Sequence, residues 1–292
     1  MNSFIDQNIC SKCSLCSEVC PCKIIQVDFG GNVDFIKERE SLCLHCGQCM
    51  AICSTGAVKI SDLAYGEEIV ELPANSVNNV DFTGFLMNRR SVRNFKAKPV
   101  EDEKLEKILD SINYAPFGAE PEKVSITVVN SREKIERTLP YIEKFLDDIV
   151  SWIKNPVVRF MIRRANSEEN FNTVKNHLYP MAKAENYKLK HGDSITRGAP
   201  SILVFHAEKG AEAHTNNILI YATYAMLAAH SLGLGATMIE IVPHAINRVK
   251  EVRSHFQIPE NHEAVMSLVV GYPRYKYKRT VRRKAQEINW LT

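Results

Sequence analysis

The sequence predicts an α+β protein in which a small cysteine-rich domain precedes a larger domain of mixed helices and strands. The chain has 292 residues, which is enough for two domains. Apolar residues make up 45% and charged residues 24%, a globular composition that excludes global disorder and a fibre. All nine cysteines lie within residues 10–53, and later helical and strand patterns follow each other without a regular βαβ repeat. We expect domains at 1–60 and 82–292, joined by a linker at 61–81.

The charge balance and the N-terminus bear on partners and location. The formal net charge is +3, from 37 Lys and Arg against 34 Asp and Glu, which argues against a nucleic-acid binder. We expect the basic stretch at 274–284 to be solvated surface. Residues 1–6 have neither the basic region nor the apolar run of a secretory signal, so we expect a cytoplasmic protein with thiolate ligands rather than disulfides.

Two runs of cysteines share the spacing C-x₂-C-x₂-C-x₃-C. The first run is followed by Pro21 and the second by Ser54. A [4Fe–4S] cluster takes four thiolates, and in this pattern the fourth cysteine of each run binds the other cluster. The spacing therefore predicts two clusters. The ligands of the first are Cys10, Cys13, Cys16 and Cys53, and those of the second are Cys20, Cys43, Cys46 and Cys49.

This cysteine-rich segment resembles the bacterial two-cluster ferredoxins. A pair of zinc sites is the alternative, but zinc knuckles use C-x₂-C pairs rather than two such runs. Cys22 is a ninth cysteine that we expect to be structural, and His45 lies between two ligands as a neighbouring side chain. So short a domain buries too little apolar surface to fold alone, so we expect its clusters to hold it together.

Hydrophobic patterns beyond residue 82 predict the elements of the second domain. An apolar stripe at helical spacing follows Glu101, and we expect helices at 131–165 that break at Pro140 and Pro156. Residues 166–197 are polar and look like a cap over a site. One amphipathic helix is expected at 245–256. Four apolar, partly β-branched runs predict strands at 124–129, 201–205, 236–241 and 264–270.

Residues 218–239 contain no Asp, Glu, Lys or Arg, so this stretch is weighed as a possible membrane span. The stretch is formally long enough to span a bilayer. However, it contains Thr223 and His230, and residues 232–235, Leu-Gly-Leu-Gly, are typical of a helix end. We therefore expect a core or subunit-interface helix and no association with membranes.

A basic cluster, Arg-Arg-Ser-Val-Arg, occupies residues 89–93. Guanidinium groups pair with phosphate through two parallel hydrogen bonds, and a serine hydroxyl adds a short one. Taken alone, the cluster also fits a solvated basic turn. The chain has no G-x-G-x-x-G and no Walker A motif, so a built-in dinucleotide or P-loop site is not expected.

Several segments in order resemble the nitroreductase family of FMN enzymes. The resemblance covers residues 82–292. It is carried by 89–95, Arg-Arg-Ser-Val-Arg-Asn-Phe; by Ala115-Pro116; by 197–200, Arg-Gly-Ala-Pro; by the helix at 222–235; by 269–273, Val-Val-Gly-Tyr-Pro; and by 282–284, Arg-Arg-Lys. It implies an α+β sandwich, bound FMN and a homodimer with each flavin at the subunit interface.

The family resemblance also implies roles for individual residues. Arg89, Ser91 and Arg90 would hold the FMN phosphate, together with Arg283, and Arg93 would lie near the pyrimidine edge of the flavin. Pro116, Phe117 and Gly118 would pack on the flavin of the partner subunit, and the backbone of Ile239, Glu240 and Ile241 would approach flavin N5. The loop at 117–122 and Ile241 depart from the family pattern, which leaves substrate contacts open.

Together these observations predict an iron–sulfur flavoprotein oxidoreductase. Electrons would pass between two [4Fe–4S] clusters and FMN to a small organic acceptor such as a nitroaromatic, quinone or enone, with ferredoxin or NAD(P)H as the donor. Because the chemistry belongs to flavin N5, no catalytic side chain is expected. Two alternatives stay open: a non-catalytic electron carrier or redox sensor, and a nitroreductase-fold enzyme of different chemistry, such as a dehydrogenase or dehalogenase.

Overall fold

The computed structural model describes residues 3–74, 77–165, 168–183, 188–282 and 287–291. The chain forms two compact units, Met1–Asn78 and Asn79–Thr292. The boundary lies inside the linker predicted at 61–81. Each unit has its own core.

The first unit is built from two similar halves. It contains two antiparallel strand pairs, two short helices and a 3₁₀ helix at Lys37–Leu42. Strand β1 pairs with β4, and β2 with β3. The bounds are β1 Phe4–Ile5, α1 Leu15–Val19, β2 Ile25–Val27, β3 Val33–Phe35, α2 Gln48–Ala51 and β4 Val58–Lys59. Ser14 before α1 and Gly47 before α2 have nearly the same left-handed backbone, with φ 65° and 66°, so each half turns into its helix in the same way.

The core of the first unit extends beyond residue 60. Leu63, Tyr65 and Ile69 pack against the buried cluster that contains Val33 and Met50. The Tyr65 hydroxyl donates to the carbonyl of Met50 at 3.0 Å. Residues at the start of the predicted linker therefore cover the core of the first unit.

The second unit is organised around a four-stranded antiparallel sheet. The strand order is β5-β6-β8-β7. The bounds are β5 Val124–Val129, β6 Ser201–Glu208, β7 Gly235–Ile239 and β8 His262–Gly271. Ser201 lies opposite Val270, and Gly235 lies opposite Gly271, so the start of β6, the end of β8 and the start of β7 meet at one end of the sheet.

Helices cover both faces of this sheet. Along β6, Ile202 and Val204 face one core, whereas Leu203 and Phe205 face the other, as the period-two alternation of a strand requires. Helices α6, α11 and α12 supply the first core, and α4 and α10 supply the second. The predicted α+β sandwich is confirmed. The helices are α3 Asn79–Asn88, α4 Asp102–Ile112, α5 Arg132–Glu136, α6 Leu139–Lys154, α7 Pro156–Ala165, α8 Glu168–Thr173, α9 Tyr179–Lys183, α10 His214–Ser231, α11 Ile241–Ile246 and α12 Lys250–His255.

The helices predicted at 131–165 are interrupted at residues 137–138, just before Pro140, and at Asn155, just before Pro156. Pro140 itself lies in the first turn of α6, where the N–H that proline lacks has no helical partner.

Another helical prediction needs correction. The helix predicted at 245–256 is two helices, because the backbone is extended at Val249 between them, with φ −119° and ψ 113°. Asn247 keeps a helical backbone and pairs with β8 through its side chain. Its side chain donates to the carbonyl of Ala264 at 2.7 Å and accepts from the Ala264 N–H at 2.9 Å.

The uncharged stretch forms part of α10 and the sheet. Ile218, Ala222, Ala225 and Ala229 are fully buried on one face of α10, against the core that includes α4. Within the described ranges, no helix combines the length and the apolar character needed to cross a membrane. The cap expected at 166–197 is largely helical where the structure describes it, and its role stays a prediction.

Candidate functional site

The first unit brings its thiols together in two sets of four. Cys16 interacts electrostatically with Cys53, Cys10 and Cys13. Cys49 interacts with Cys46, Cys20 and Cys43, and these four cysteines line one small cavity. The two sets are those that the spacing assigns to the two clusters.

The surroundings of the thiols suit binding to metal as thiolates. Burial raises the pKa of Cys49 to about 12, and burial also raises the pKa of Cys16 and of Cys43. Such thiols stay protonated at neutral pH unless a metal supplies compensating charge. A hydrogen bond from the Leu15 backbone lowers the pKa of Cys13, and the Lys12 N–H donates to the Cys10 sulfur at 3.4 Å.

Cys22 lines the same cavity as the second set and is half-buried. Among the described residues, no three His, Cys, Asp or Glu side chains converge on a point where one metal ion would fit. A cubane cluster binds each thiolate through a different iron, so its ligands surround a larger group than a single ion. The donor set fits iron–sulfur clusters in its chemistry, because soft thiolates favour them.

The second unit contains a cavity of about 430 Å³. It lies at the end of the sheet where β7 begins and β8 ends. Its lining is mostly apolar and basic. The residues are Asn88, Arg89, Arg90, Val92, Lys96, Met226, His230, Gly233, Leu234, Ala236, Tyr272, Pro273, Tyr275, Lys276 and Tyr277. We call it the Arg89 cavity.

The basic cluster reaches this cavity because its backbone is fixed to β7. Helix α3 ends at Asn88, and Ser91 then pairs with Ala236 as a parallel bridge. The Val92 N–H donates to the carbonyl of Ala236 at 3.0 Å. This approach requires glycine at 235, since a Cβ there would lie 2.5 Å from a methyl group of Val92.

The two arginines at the cavity are held by several contacts. Arg89 Nη1 lies 3.5 Å from the sulfur of Met226. Arg90 Nη1 donates to the carbonyl of Arg89 at 2.7 Å, and its Nη2 donates to the carbonyl of Arg279 at 3.0 Å. The C-terminal tail therefore returns to the basic cluster, although the predicted residue Arg283 lies outside the described residues.

Ser91 and Arg93 are close to the cavity in sequence but are not part of its lining. Ser91 is half-buried at its bridge with Ala236. Arg93 is exposed, and its Nη1 lies 3.5 Å from the carbonyl of Ser91. Their contacts with a flavin stay predictions.

The loop that carries Pro116, Phe117 and Gly118 lies at the other end of α10. Gly118 binds Asn217 near the start of the helix, whereas Arg89 contacts Met226 near its end. Nine helical residues at about 1.5 Å each separate Asn217 from Met226 by about 14 Å. Within one chain the structure does not bring this loop to the Arg89 cavity.

The segment predicted near flavin N5 joins β7 to α11. The carbonyl of Ile239 accepts a hydrogen bond from the Ser267 hydroxyl at 2.6 Å. Glu240 is exposed, and Ile241 is buried in the core. Ala236 on the same strand lines the cavity, about 10 Å from Ile239 at about 3.3 Å per residue.

The segment at 197–200 is fixed by a buried acid. Asp193 accepts hydrogen bonds from the N–H groups of Thr196 and Gly198 and from Arg132 Nη1, at 2.7, 2.9 and 2.8 Å. Burial raises the pKa of Asp193, but these bonds and the Thr196 hydroxyl outweigh it and leave that pKa below its usual value. Arg197 is held in the left-handed region at φ 61°.

Sequence reasoning missed several residues of the cavity. Tyr272 lies beside it, with a hydroxyl that accepts from Lys104 Nζ at 2.8 Å and donates to Glu101 at 2.6 Å. The Tyr272 hydroxyl lowers the pKa of Glu101 to about 2. His230 was also missed, because a lone histidine in an apolar helix forms no motif that marks it as a binding residue. Tyr275 and Tyr277 also line the cavity, and their alternation with lysines in the tail was the one sequence pattern that could have indicated a binding role.

The second unit is an antiparallel sheet covered by helices, with a cavity lined by arginines. The first unit carries two sets of four thiols. Together these features define a two-part redox protein. Comparison with known families makes this specific. Residues 86–272 match the model of the nitroreductase family, which is more than half of the chain, so the protein belongs to that family. Residues 9–58 match the model described as a 4Fe-4S dicluster domain. The predicted fusion is confirmed.

Individual relatives agree with this assignment. The chain is 25% identical over 207 residues to an FMN reductase [NAD(P)H] of Bacillus subtilis (strain 168), a match that covers 70% of each protein. A solved nitroreductase with bound FMN from Bacteroides fragilis shares 23% identity with a TM-score of 0.51, over 73% of this chain and all of that one. A nitroreductase with bound FMN from Desulfitobacterium hafniense shares 18% identity with a TM-score of 0.50, over 72% and 97%. These two structures show a shared fold.

Proposed function

We propose that this protein is an iron–sulfur flavoprotein oxidoreductase that passes electrons between two [4Fe–4S] clusters and FMN. The reaction is reduction of a small organic acceptor of the nitroaromatic, quinone or enone class. One observation carries the proposal: a nitroreductase-family unit with a cationic cavity shares its chain with two four-thiol sets. Covalent fusion keeps the two kinds of centre at high effective concentration.

The cavity suits the phosphate end of a flavin mononucleotide. Arg89, Arg90, Lys96 and Lys276 line it, and none of its described lining residues is acidic. A phosphate monoester carries nearly two negative charges at neutral pH, which the two arginines balance. Arg90 also holds the tail through Arg279, which supports the proposal that Arg283 joins the same phosphate.

Bound FMN would supply the chemistry, because flavin accepts electrons singly or in pairs and so links one-electron donors to two-electron acceptors. Arg93 would stabilise negative charge at the pyrimidine edge, and the Ile239–Ile241 backbone would lie near N5. Donors compatible with this arrangement are reduced ferredoxin and NAD(P)H. No side chain has to act as a nucleophile.

We infer a homodimer from the position of the 116–118 loop. Pro116, Phe117 and Gly118 lie about 14 Å along α10 from the residues beside Arg89, so they are not part of the wall that would hold the phosphate. A second copy would bring this loop to the flavin. Phe117 is 40% exposed, which leaves an aromatic ring available for such packing.

The test is anoxic purification followed by quantification of iron, sulfide and flavin. The matched variants are Arg89→Ala and Arg159→Ala, since Arg159 is an exposed arginine on α7 outside the cavity. We expect flavin loss only for Arg89→Ala. Steady-state assays with reduced ferredoxin and NAD(P)H against a panel of acceptors test turnover. Full cofactor content without turnover on any acceptor would support an electron carrier or sensor instead, and flavin-free wild-type protein would refute the proposal.

A further inference from the structure

His230 of α10 belongs to the Arg89 cavity. It lies one helical turn after Met226, so the two side chains share a face of the helix, and both line the cavity. Arg89 is held against this face through its contact with the Met226 sulfur at 3.5 Å. A histidine therefore lies beside the arginine that is proposed to bind phosphate.

The imidazole of His230 is oriented by α3. Its ring packs on Phe85, with centroids 4.8 Å apart and planes at 42°. The backbone carbonyl of Phe85 also lies near the ring and raises the pKa of His230. A neutral imidazole has one donor and one acceptor nitrogen, and a proton on the nitrogen that faces the Phe85 carbonyl leaves the other as the acceptor. The other nitrogen can donate to an anion only when the ring gains a second proton.

The charged neighbours of His230 determine when it gains that proton. Burial lowers the pKa of His230, and Arg89 lowers it further, whereas the Phe85 carbonyl raises it. The other titratable groups on the cavity are Arg90, Lys96, Lys276, Tyr272, Tyr275 and Tyr277. None of the residues that line the cavity is a carboxylate, so the described lining offers His230 no acidic partner. A bound dianion would favour the protonated ring.

We infer that His230 is a further binding residue of the Arg89 cavity, where it donates to a phosphate monoester and takes up a proton as that group binds. The inference rests on the proposed function, in which the monoester is that of FMN. In acid, protonated His230 adds a positive charge beside the two arginines, and its second nitrogen becomes a donor. The ligand's second ionisation near pH 6 acts in the opposite direction, because it removes negative charge from the phosphate.

The experiment measures flavin release from anoxic holoenzyme after dilution, by recovery of free flavin fluorescence, at pH 8.0, 7.0, 6.0 and 5.5. The proteins are the wild type, His230→Gln and His255→Gln, in which His255 is an exposed histidine outside the cavity. Division of each variant's rate by the wild-type rate at the same pH cancels the ligand's own titration. We expect a ratio for His230→Gln near one at pH 8.0 that rises to about tenfold or more at pH 5.5, the effect of one charge-assisted hydrogen bond. The His255→Gln ratio stays near one throughout.

Riboflavin separates phosphate binding from a structural role, because it lacks the phosphate. Its affinity should be equal in wild type and His230→Gln at every pH. A pH-independent ratio for FMN, or an equal loss for riboflavin, would overturn the inference while the proposed function stands. Wild-type protein that retains no flavin would instead refute the proposed function, and the inference with it. His230→Arg supplies a fixed charge and should make release slow at pH 8.0 as well.

Discussion

Gly118 and Asn217 join the 116–118 loop to α10 through a reciprocal pair of hydrogen bonds. The Gly118 N–H donates to Asn217 Oδ1 at 2.7 Å, and Asn217 Nδ2 donates to the next carbonyl, that of Ala119, at 3.0 Å. Asn217 is completely buried. A Cβ at position 118 would lie 3.1 Å from the Cβ of Ala213, so the loop packs directly on the helix. One buried amide therefore binds both sides of a turn whose backbone is partly exposed.

Replacement of Asn217 by alanine should free this loop and destabilise the second unit. It removes two hydrogen bonds from a completely buried amide, at a cost of about 1–3 kcal/mol. Urea unfolding followed by tryptophan fluorescence measures the effect, because both tryptophans, Trp152 and Trp290, lie after residue 78. The control is Asn216→Ala, an exposed neighbour whose loss should change stability by less than about 0.5 kcal/mol. Equal midpoints for the two variants would contradict the structural role of Asn217.

Sequence patterns identify the four strands and the thiol sets because these depend on local spacing. Strand alternation and the C-x₂-C-x₂-C-x₃-C spacing are visible within a short window. The Arg89 cavity depends on contacts between distant segments, such as Arg89 with Met226 and His230 with Phe85. Asn247 likewise pairs with Ala264 on β8, a contact between separate segments that no local pattern reveals. Periodicity contains no information on such pairings.

Gly235 provides a test of the close approach between the basic cluster and β7. Gly235→Ala would place a methyl group 2.5 Å from Val92, so the Ser91–Ala236 bridge must shift and move Arg89 and Arg90. We expect a loss of about 2–3 kcal/mol in stability, in line with overpacking, and flavin content well below that of the wild type. Urea unfolding and flavin quantification measure the two effects.

The matched control for this substitution is Gly84→Ala. Gly84 lies in α3, where an added Cβ meets no atom within 4 Å. Alanine should stabilise this helix by up to about 1 kcal/mol, because glycine costs that much in a helix interior. If Gly235→Ala behaved like Gly84→Ala, the close approach would not position the arginines.

A histidine pair in which His206 is buried should make the second unit sensitive to mild acid. His206 is 4% exposed, its Nδ1 lies 2.9 Å from Nδ1 of His262, and its Nε2 lies 3.2 Å from the Thr127 hydroxyl. Burial lowers the pKa of His206 to about 4, and His262 and Arg253 contribute to the same shift. In the unfolded chain the pKa is about 6.5, so the unfolded state binds more protons between these values.

The sign of this pH dependence follows from the lowered pKa. The neutral form of His206 contributes its full stability above pH 6.5, and that stability is lost as pH falls towards 4. Between pH 7 and pH 5 the expected loss is on the order of 2 kcal/mol. Urea midpoints at the two pH values, read by tryptophan fluorescence, measure it. His206→Gln should reduce the difference in urea midpoint between the two pH values, and His255→Gln should leave that difference unchanged. A difference for His206→Gln equal to that of the wild type would refute the role of His206.

Substitutions of Cys46 and Cys22 distinguish a predicted cluster ligand from the extra thiol. The two residues are a matched pair, since both line the cavity of the second thiol set and both are half-buried. If Cys46 binds iron, Cys46→Ala removes one corner of a cubane, and iron should fall from about eight to about four atoms per chain or fewer. Because the first unit depends on its clusters, the variant should also be cleaved faster by a protease between residues 1 and 78.

The flavin content of the Cys46→Ala preparation should not change, since the proposed flavin residues lie in the other unit. Cys22→Ala should retain about eight irons. Undiminished iron in Cys46→Ala, or iron loss of equal size in Cys22→Ala, would show that the spacing assigns the wrong thiols.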